Sequence, residues 1–332
     1  RADHSEFWGH LSGRRFVDAN NQNLGLVGVL ADITDRKRAD ERQLHHNRIL
    51  QLLTEKAPLS VVLDTMVRDV EAIHPAMLCS VLLLDAQGKH LHHGAAASLP
   101  AFFTEALDGT AIGPGVGSCG TSAFTGQRVI VEDLATSTWW VPFLDLARRA
   151  DLGACWSQPI VSAQGKVLGT FAIYHRRSCR PEPEELLLIE DEARLAGLAI
   201  EKSMAEARLQ LAATVFSHAR EGIMITDASG LIIEVNDMFS TITGYGREEA
   251  LGQNPRSLLR SGRHGSEFYA ARAKALEENG HWSGEVWNQR KNGQVFAEML
   301  TISTVRDAQG APQNYVALFT DITPMKEHQR QL

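Results

Sequence analysis

The sequence lacks the features that define several classes of protein. It has only four cysteines in 332 residues, and none of them forms a CxxC pair, which argues against a disulfide scaffold and against a zinc site. Acidic residues outnumber basic ones by 40 to 33, so no electrostatic footprint favours nucleic acid or an anionic membrane. No apolar run approaches the roughly 18 to 20 residues that span a bilayer, and the first residues are polar. A reduced, cytoplasmic, globular chain is therefore expected.

Signatures of catalysis are also missing. The sequence contains no G-x-S-x-G, H-E-x-x-H, P-loop or kinase motif. The stretch GVGSCG from Gly115 fits G-x-G-x-x-G, but no βαβ unit follows it, so its glycines are expected to turn a loop into a helix. His90, His92 and His93 have no fourth ligand nearby, and no metal site is predicted. These residues indicate no enzyme within the chain.

Two segments of the chain, one near its beginning and one at its end, have similar sequences. VLADITDRKRADERQL begins at Val29, and LFTDITPMKEHQRQL begins at Leu318. In both copies, two runs of alternating apolar and polar residues flank a polar turn, which occupies residues 18–23 in the first copy. The second run ends at Asp-Ile-Thr, and a charged segment with helical spacing follows. Each copy is therefore predicted to be a β-hairpin joined to a helix.

The C-terminal copy ends a longer stretch that resembles PAS domains. The likeness is carried by EGIMITDASGLIIEVNDMFSTITGYGREEALGQNPRSLL and GHWSGEVWNQRKNGQVFAEMLTISTVRDAQG, and it covers residues 214–323, with an exit helix beginning at 324–332. In the N-terminal copy the resemblance to PAS domains covers only the last two strands, residues 1–35. This implies that the chain starts inside a PAS domain. The resemblance implies an antiparallel sheet, helices on one face, and an apolar pocket between them.

Residues 57–180 resemble a GAF domain of the kind found in bacterial sensor proteins. The segments GSCGTSAFTGQRVIVEDL and ACWSQPI carry this likeness. The Asn-Lys-Phe-Asp-Glu signature of cyclic-nucleotide-binding GAF domains is missing, which argues against such a ligand. Cys119 and Cys155 fall in segments that border the GAF pocket and are expected to line it. The predicted fold class is α+β, with PAS-like and GAF-like antiparallel sheets flanked by helices and joined by long signalling helices.

Two helical connectors are predicted, at residues 36–56 and 183–213. The second carries apolar or small residues three or four positions apart, with one extra four-residue step that acts as a stutter. These are Leu186, Ile189, Ala193, Ala196, Ile200, Met204, Ala207 and Leu211. The pattern allows two arrangements, a helix packed on its own GAF domain or a parallel homodimer through the helical linkers. We expect the homodimer, because dimeric output domains need two copies side by side.

The segment GHWSGEVWNQRKNG, residues 280–293, is similar to the flavin-binding PAS domains of bacterial redox and oxygen regulators. Trp282, Glu285 and Asn288 occupy matching positions, while Gln289 replaces the first Arg of that pattern. The resemblance implies FAD as a candidate cofactor, ranked behind an empty pocket or one that holds a small metabolite. Haem is a further alternative, for which the only nearby imidazoles are His264 and His281.

These resemblances imply the input region of a bacterial signalling protein. They favour a diguanylate cyclase (GGDEF) or cyclic di-GMP phosphodiesterase (EAL) as the output domain, with a sensor histidine kinase as the alternative. A function of another class, a GAF thiol reductase that uses Cys119 and Cys155, also stays open. In each PAS segment the Asp-Ile-Thr would fasten the last strand to the exit helix. The predicted coupling residues are therefore Asp32, Thr34, Asp321 and Thr323.

Overall fold

The structure, a computed structural model, describes residues 7–17 and 23–331. Two compact units divide the chain, Arg1–Glu206 and Ala207–Leu332. Both are built from antiparallel sheets with flanking helices, and this confirms the predicted α+β class.

The first unit begins with the predicted hairpin. Strands β1 (Gly9–Val17) and β2 (Asn23–Asp32) pair in antiparallel fashion. Most of the predicted polar turn, residues 18–22, lies outside the described residues, as do residues 1–6. After Ile33 the chain enters helix α1 (Thr34–Thr54), so the Asp-Ile-Thr sequence marks the change from strand to helix.

A six-stranded antiparallel sheet forms the centre of the first unit. Its strands are β3 (Leu78–Leu84), β4 (His90–Ala95), β5 (Thr110–Ala111), β6 (Val129–Val131), β7 (Ala154–Val161) and β8 (Val167–His175), in the spatial order β5-β4-β3-β8-β7-β6. The remaining helices are α2 (Leu59–Ile73), α3 (Ala101–Leu107), α4 (Gly117–Thr125), a 3-10 helix (Thr138–Phe143), α5 (Leu144–Arg149) and α6 (Pro183–His218).

Apolar clusters cover both faces of this sheet. On one face Trp156 and Ile160 pack with apolar residues of α1, α2 and α6. On the other face Cys155 and Tyr174 pack with Phe103 and with residues of α4. Because helices shield both faces, β7 and β8 read as nearly continuous apolar runs instead of alternating ones.

The glycine-rich stretch forms the predicted loop that turns into a helix. Gly115 and Gly117 have φ values of 77° and 55°, in the left-handed region that glycine adopts most readily. Helix α4 starts at Gly117 and ends before Gly126, which is again left-handed. The glycines therefore serve backbone geometry, as the sequence indicated.

Helix α6 is one continuous element of 36 residues. Four of the eight predicted positions, Ile189, Ala193, Ala196 and Ile200, are buried in the core of the first unit. From Met204 to Val215 the large apolar side chains are exposed. Packing against the first unit thus explains the apolar positions in the first half of α6 but not those in the second half.

The second unit contains a five-stranded antiparallel sheet with helices. Its strands are β9 (Gly222–Asp227), β10 (Ile232–Val235), β11 (His281–Gln289), β12 (Val295–Arg306) and β13 (Pro312–Asp321), in the order β10-β9-β13-β12-β11. The helices between β10 and β11 are α7 (Asp237–Thr243), α8 (Arg247–Ala250), α9 (Pro255–Leu259) and α10 (Ser266–Asn279). After β13 the chain continues as α11 (Thr323–Gln331).

Asn236 joins three elements of the second unit and was not singled out in the sequence. Its Oδ1 accepts hydrogen bonds from the backbone N–H groups of Ile223 and Phe239, and its Nδ2 donates to the carbonyls of Phe216 and Glu221. The side chain therefore caps α7 and ties the end of α6 to β9. Its place directly before an apolar helical turn was the available sequence signal.

Candidate functional site

The second unit encloses a cavity of about 760 Å³ between its sheet and helices α9 and α10. This volume is typical of small-molecule sites, which span roughly 300 to 1,000 Å³. Apolar side chains of the sheet, among them Val286, Leu300 and Phe319, form much of the wall. Polar and charged side chains form the rest of the wall and can bind polar groups of a ligand.

Two of these polar groups, Asn288 and Glu298, stand on neighbouring strands. Asn288 Nδ2 donates to Glu298 Oε1 at 2.8 Å. Glu298 Oε2 is buried and has no hydrogen-bond partner in the part of the chain that the structure describes. Burial raises the pKa of Glu298 to about 8, so the carboxyl is largely protonated at neutral pH. Together the two side chains present donors and acceptors to the cavity.

The helical wall adds positive charge and an aromatic ring. Arg256, Arg260 and Arg272 all line the cavity. The guanidinium of Arg256 lies 4.2 Å from the centre of the Tyr269 ring and that of Arg272 lies 5.1 Å from it. Such a wall suits an anionic group on a ligand, because guanidinium binds phosphate and carboxylate in a bidentate manner.

Of the three predicted PAS site residues, Asn288 lines the cavity. Trp282 is absent from its wall and packs edge-on against Phe268, with ring centres 5.6 Å apart. Glu285 is exposed and forms an ion pair with Lys326 of α11 at 2.8 Å. The physical reason is the two-residue period of β11, which turns Glu285 away from the face that carries Val286 and Asn288.

The two imidazoles considered for haem do not line the cavity. His264 Nε2 already accepts a hydrogen bond from the backbone N–H of Trp287 at 2.9 Å, and its ring stacks on Phe268. His281 is exposed at the start of β11. Neither offers a free nitrogen to an iron atom inside the pocket.

The Asp-Ile-Thr repeat is also a repeat of hydrogen bonds. In the second copy Thr323 N donates to Asp321 Oδ1, and Thr323 Oγ1 accepts from Ala297 N. In the first copy Thr34 N donates to Asp32 Oδ1, and Thr34 Oγ1 accepts from the backbone N–H of Trp8. In both copies the threonine therefore ties the start of the exit helix to the first strand of the hairpin, at Ala297 of β12 and at Trp8 directly before β1.

In the second unit this joint lies next to the cavity. Glu298 on β12 pairs with Asp321 on β13, and the nearby Asp321 carboxylate further raises the pKa of Glu298. Asp321 forms an ion pair with Arg290 at 2.5 Å, and Arg290 also donates to the carbonyl of Ile242. Glu298 in the cavity wall is thus paired, across β12 and β13, with the residue that ends β13 just before the exit helix.

The predicted cysteines of the first unit come together in its core. Cys119 on α4 and Cys155 on β7 belong to the same buried cluster, and Cys119 Sγ lies 3.9 Å from Tyr174 Oη. Cys119 lines a cavity of about 30 Å³, and Cys155 is fully buried beside it. In the described part of the chain, no group of three His, Cys, Asp or Glu side chains is arranged to hold a metal ion.

Family models match most of both units. The model of the GAF domain matches residues 56–201, and that of the PAS domain matches residues 220–324. The chain contains a GAF domain followed by a PAS domain. The cavity of about 760 Å³ therefore belongs to the PAS domain, and the cysteine pair belongs to the GAF domain.

Several sensor and regulatory proteins are similar to the chain. A methyl sulfide methyltransferase-associated sensor of Methanosarcina acetivorans is 36% identical over 239 residues, 70% of this chain and 24% of that protein. A nitrogen fixation regulatory protein of Klebsiella oxytoca is 34% identical over 110 residues, 33% of this chain and 22% of that protein. A solved PAS domain from Colwellia psychrerythraea is 26% identical over 35% of this chain and 98% of that one, with a TM-score of 0.33.

The chain spans about a quarter of the length of these two curated relatives. The GAF and PAS domains, together with the relatives, support a sensory input role. Within residues 7–17 and 23–331, no helix is both long enough and apolar enough to cross a membrane.

Proposed function

We propose that this chain is the cytoplasmic input region of a signal-transduction protein, in which the PAS domain binds a flavin and passes its state to an output domain through α11. FAD is the first candidate ligand. A GGDEF or EAL domain of cyclic di-GMP turnover is the favoured output, and a histidine kinase is the alternative. The hairpin and α1 at the start of the chain would belong to a preceding PAS domain that uses the same joint.

The observation that carries the flavin proposal is the pair formed by Asn288 and Glu298. A flavin is planar and presents carbonyls and an N–H at its pyrimidine edge, so it needs a wall that both donates and accepts. Asn288 and the protonated Glu298 both line the cavity and supply both, and Glu298 Oε2 has no hydrogen-bond partner among the described residues. Tyr269 offers an aromatic surface, and Arg256 or Arg272 would bind the phosphates.

The test is an absorption spectrum of the purified chain, followed by titration with FAD. We expect flavin bands, or binding of added FAD, and about tenfold weaker binding by Asn288→Ala, because one hydrogen bond to the ligand is lost. Glu285→Ala is the matched control, since that side chain is exposed on the same strand. A colourless protein that binds no added FAD would overturn the flavin proposal, and a Soret band would replace it with haem.

The thiol reductase alternative gains no support from the GAF domain. A single water needs roughly 10 to 15 Å³ of cavity space. The space beside Cys119, about 30 Å³, is therefore too small for an amino-acid substrate.

Dimerisation is expected through the second half of α6. Met204, Leu209, Leu211 and Val215 are all more than half exposed, an unusual density of apolar side chains on one helix. Light scattering at tens of micromolar should give twice the mass of the chain, and Leu211→Glu should give the monomer mass. A monomeric wild-type chain would count against the dimer.

The PAS joint is expected to carry the signal. Replacing Asp321 by Asn removes the charge partner of Arg290 while keeping the side-chain shape. Asparagine can still accept the hydrogen bond from the Thr323 N–H, so the change removes the charge-assisted bond to Arg290. Such a bond contributes about 1.5 to 3 kcal/mol, comparable with a typical coupling free energy of about 1 to 3 kcal/mol. In the full-length protein, output activity should stop responding to the ligand while folding and ligand content stay normal. The control is Asp307→Asn, in the β12–β13 turn, and an Asp321 variant that responds fully would refute the idea.

A further inference from the structure

The GAF domain buries an unusual group of polar side chains around Cys119. The hydroxyls of Ser157 and Thr170 are completely buried and have no hydrogen-bond acceptor among the described residues. Both face Cys119, as do the Tyr174 hydroxyl and the thiol of Cys155. Buried donors without acceptors are costly, and a negatively charged sulfur at Cys119 would satisfy them.

The two thiols of this group differ in character. The polar groups that face it, Cys155 first and then the neighbouring hydroxyls, lower the pKa of Cys119 to about 7 despite its burial. Cys119 also lies in the first turn of α4, where the helix dipole favours negative charge. Burial raises the pKa of Cys155 well above its ordinary value. The pair therefore combines a thiol that ionises near neutral pH with a second thiol that stays neutral.

The cavity beside Cys119 selects among oxidants by size. Its volume of about 30 Å³ equals the space of roughly two waters, each of which takes about 10 to 15 Å³. Hydrogen peroxide, with two oxygen atoms, matches that space, whereas an organic disulfide or a sulfoxide of amino-acid size does not. Cys119 forms part of the cavity wall and Cys155 does not, so a molecule inside the cavity meets the Cys119 side of the pair.

We propose that Cys119 and Cys155 form a dithiol switch that hydrogen peroxide oxidises to a disulfide, a function separate from ligand binding in the PAS domain. The Cys119 thiolate attacks one peroxide oxygen, an S–O bond forms, the O–O bond breaks, and the departing hydroxide takes up a proton as water. The Cys155 sulfur then attacks Cys119, the S–S bond forms, and the hydroxyl leaves with the Cys155 proton as a second water. Two thiols lose two electrons, and one peroxide gains them.

The disulfide would fasten α4 to the sheet. Cys119 belongs to the first turn of that helix, and Cys155 belongs to β7, which lies beneath it. The helix forms one wall of the GAF cavity, so oxidation would fix the wall in a single position.

The test is mass spectrometry of the native chain after exposure to hydrogen peroxide and alkylation of the remaining thiols. We expect a loss of about 2 Da before alkylation, a peptide pair that joins Cys119 to Cys155, and reversal by dithiothreitol. Cys155→Ser should instead accumulate sulfenic acid at Cys119, captured by dimedone, or a gain of about 32 Da as sulfinic acid.

Cys179→Ser is the control, because that thiol is half-buried and distant from the pair in sequence. Its disulfide yield should equal that of the wild type. Joining of Cys119 to Cys79 or Cys179 would overturn the proposal. So would a Cys119 that stays reduced at peroxide concentrations that oxidise Cys179. The wild-type peptide map decides these outcomes even if a variant fails to fold.

Discussion

Replacing Glu298 by glutamine is expected to stabilise the PAS domain by about 3 kcal/mol at pH 7. The side chain is 2% exposed, and burial raises its pKa from 4.5 to about 8. In the unfolded chain the same carboxyl ionises freely, so folding at pH 7 must take up a proton. Glutamine is neutral in both states, and its oxygen can still accept the hydrogen bond from Asn288.

The difference between the pKa of Glu298 in the native and unfolded states also sets the pH dependence of the stability of the PAS domain. The native state binds more protons than the unfolded state between about pH 4.5 and pH 8. This contribution to stability is therefore most favourable below about pH 4.5, declines as the pH rises through that window, and is constant above it. Urea unfolding of the PAS domain at about pH 5, 7 and 9 should show this decline in the wild type and its loss in Glu298→Gln.

Glu285→Gln is the matched control for this experiment. Its carboxylate is exposed and pairs with Lys326, so its replacement should change stability by less than about 1 kcal/mol. If Glu298→Gln were less stable than the wild type at pH 7, the carboxyl would have to be ionised and paired in the native state. That result would also remove the protonated donor on which the flavin proposal depends.

Glu298 shows how much of the candidate site could be predicted from the sequence. It lies in the alternating run VFAEMLTISTV, on the same face as Phe296 and Leu300, which are buried. The two-residue period of the strand therefore places the Glu298 carboxyl on the apolar face. The sequence contained this signal, and the sequence analysis missed it. Its partner Asn288 was predicted, because a resemblance to known pockets covered that strand.

The two-residue period of β11 was not enough to predict the surroundings of the other two predicted residues, Trp282 and Glu285. Trp282 shares the phase of Asn288, yet it lies at the far end of β11, where Phe268 of α10 covers it. Glu285 falls in the opposite phase, and its ion pair with Lys326 depends on the direction in which α11 leaves the sheet. Contacts of this kind come from tertiary packing, which local patterns do not encode.

The repeated ending was the most informative local pattern. The hairpin, the Asp-Ile-Thr joint and the following helix are each present as predicted in both copies. Their hydrogen bonds involve residues two apart or strands paired in register, so short-range sequence is enough to specify them. Helix α6 is the opposite case, because the same apolar spacing fits a core face and a dimer seam.

A second large effect is expected at His45, a buried residue of α1 within the first unit. Its Nδ1 lies 3.1 Å from Asp69 of α2, and its Nε2 lies 3.1 Å from Glu192 of α6. Burial by itself would lower the pKa of His45, but the hydrogen bonds and charges of Glu192 and Asp69 outweigh it and raise the pKa above 6.5. With both ring nitrogens bonded to carboxylates, the imidazolium holds three helices together.

His45→Leu should destabilise the first unit by about 3 to 5 kcal/mol, because Glu192 would stay buried without its partner. The pH dependence follows from the raised pKa of His45. The stabilisation is fully present below about pH 6.5 and declines as the pH rises through the folded-state pKa. Urea unfolding across this range should show that decline in the wild type and not in the variant.

The double substitution His45→Leu with Glu192→Leu distinguishes a buried charge pair from simple loss of packing. Replacing both members of a buried ion pair by apolar residues is often neutral or stabilising, whereas removing one is strongly destabilising. Asp69 would keep its ion pair with Arg48 at 2.9 Å. We therefore expect the double variant to recover most of the lost stability, with His46→Leu as a nearly neutral control. If the double variant were less stable than the single one, packing of the imidazole, and not its charge, would hold α1 to α6.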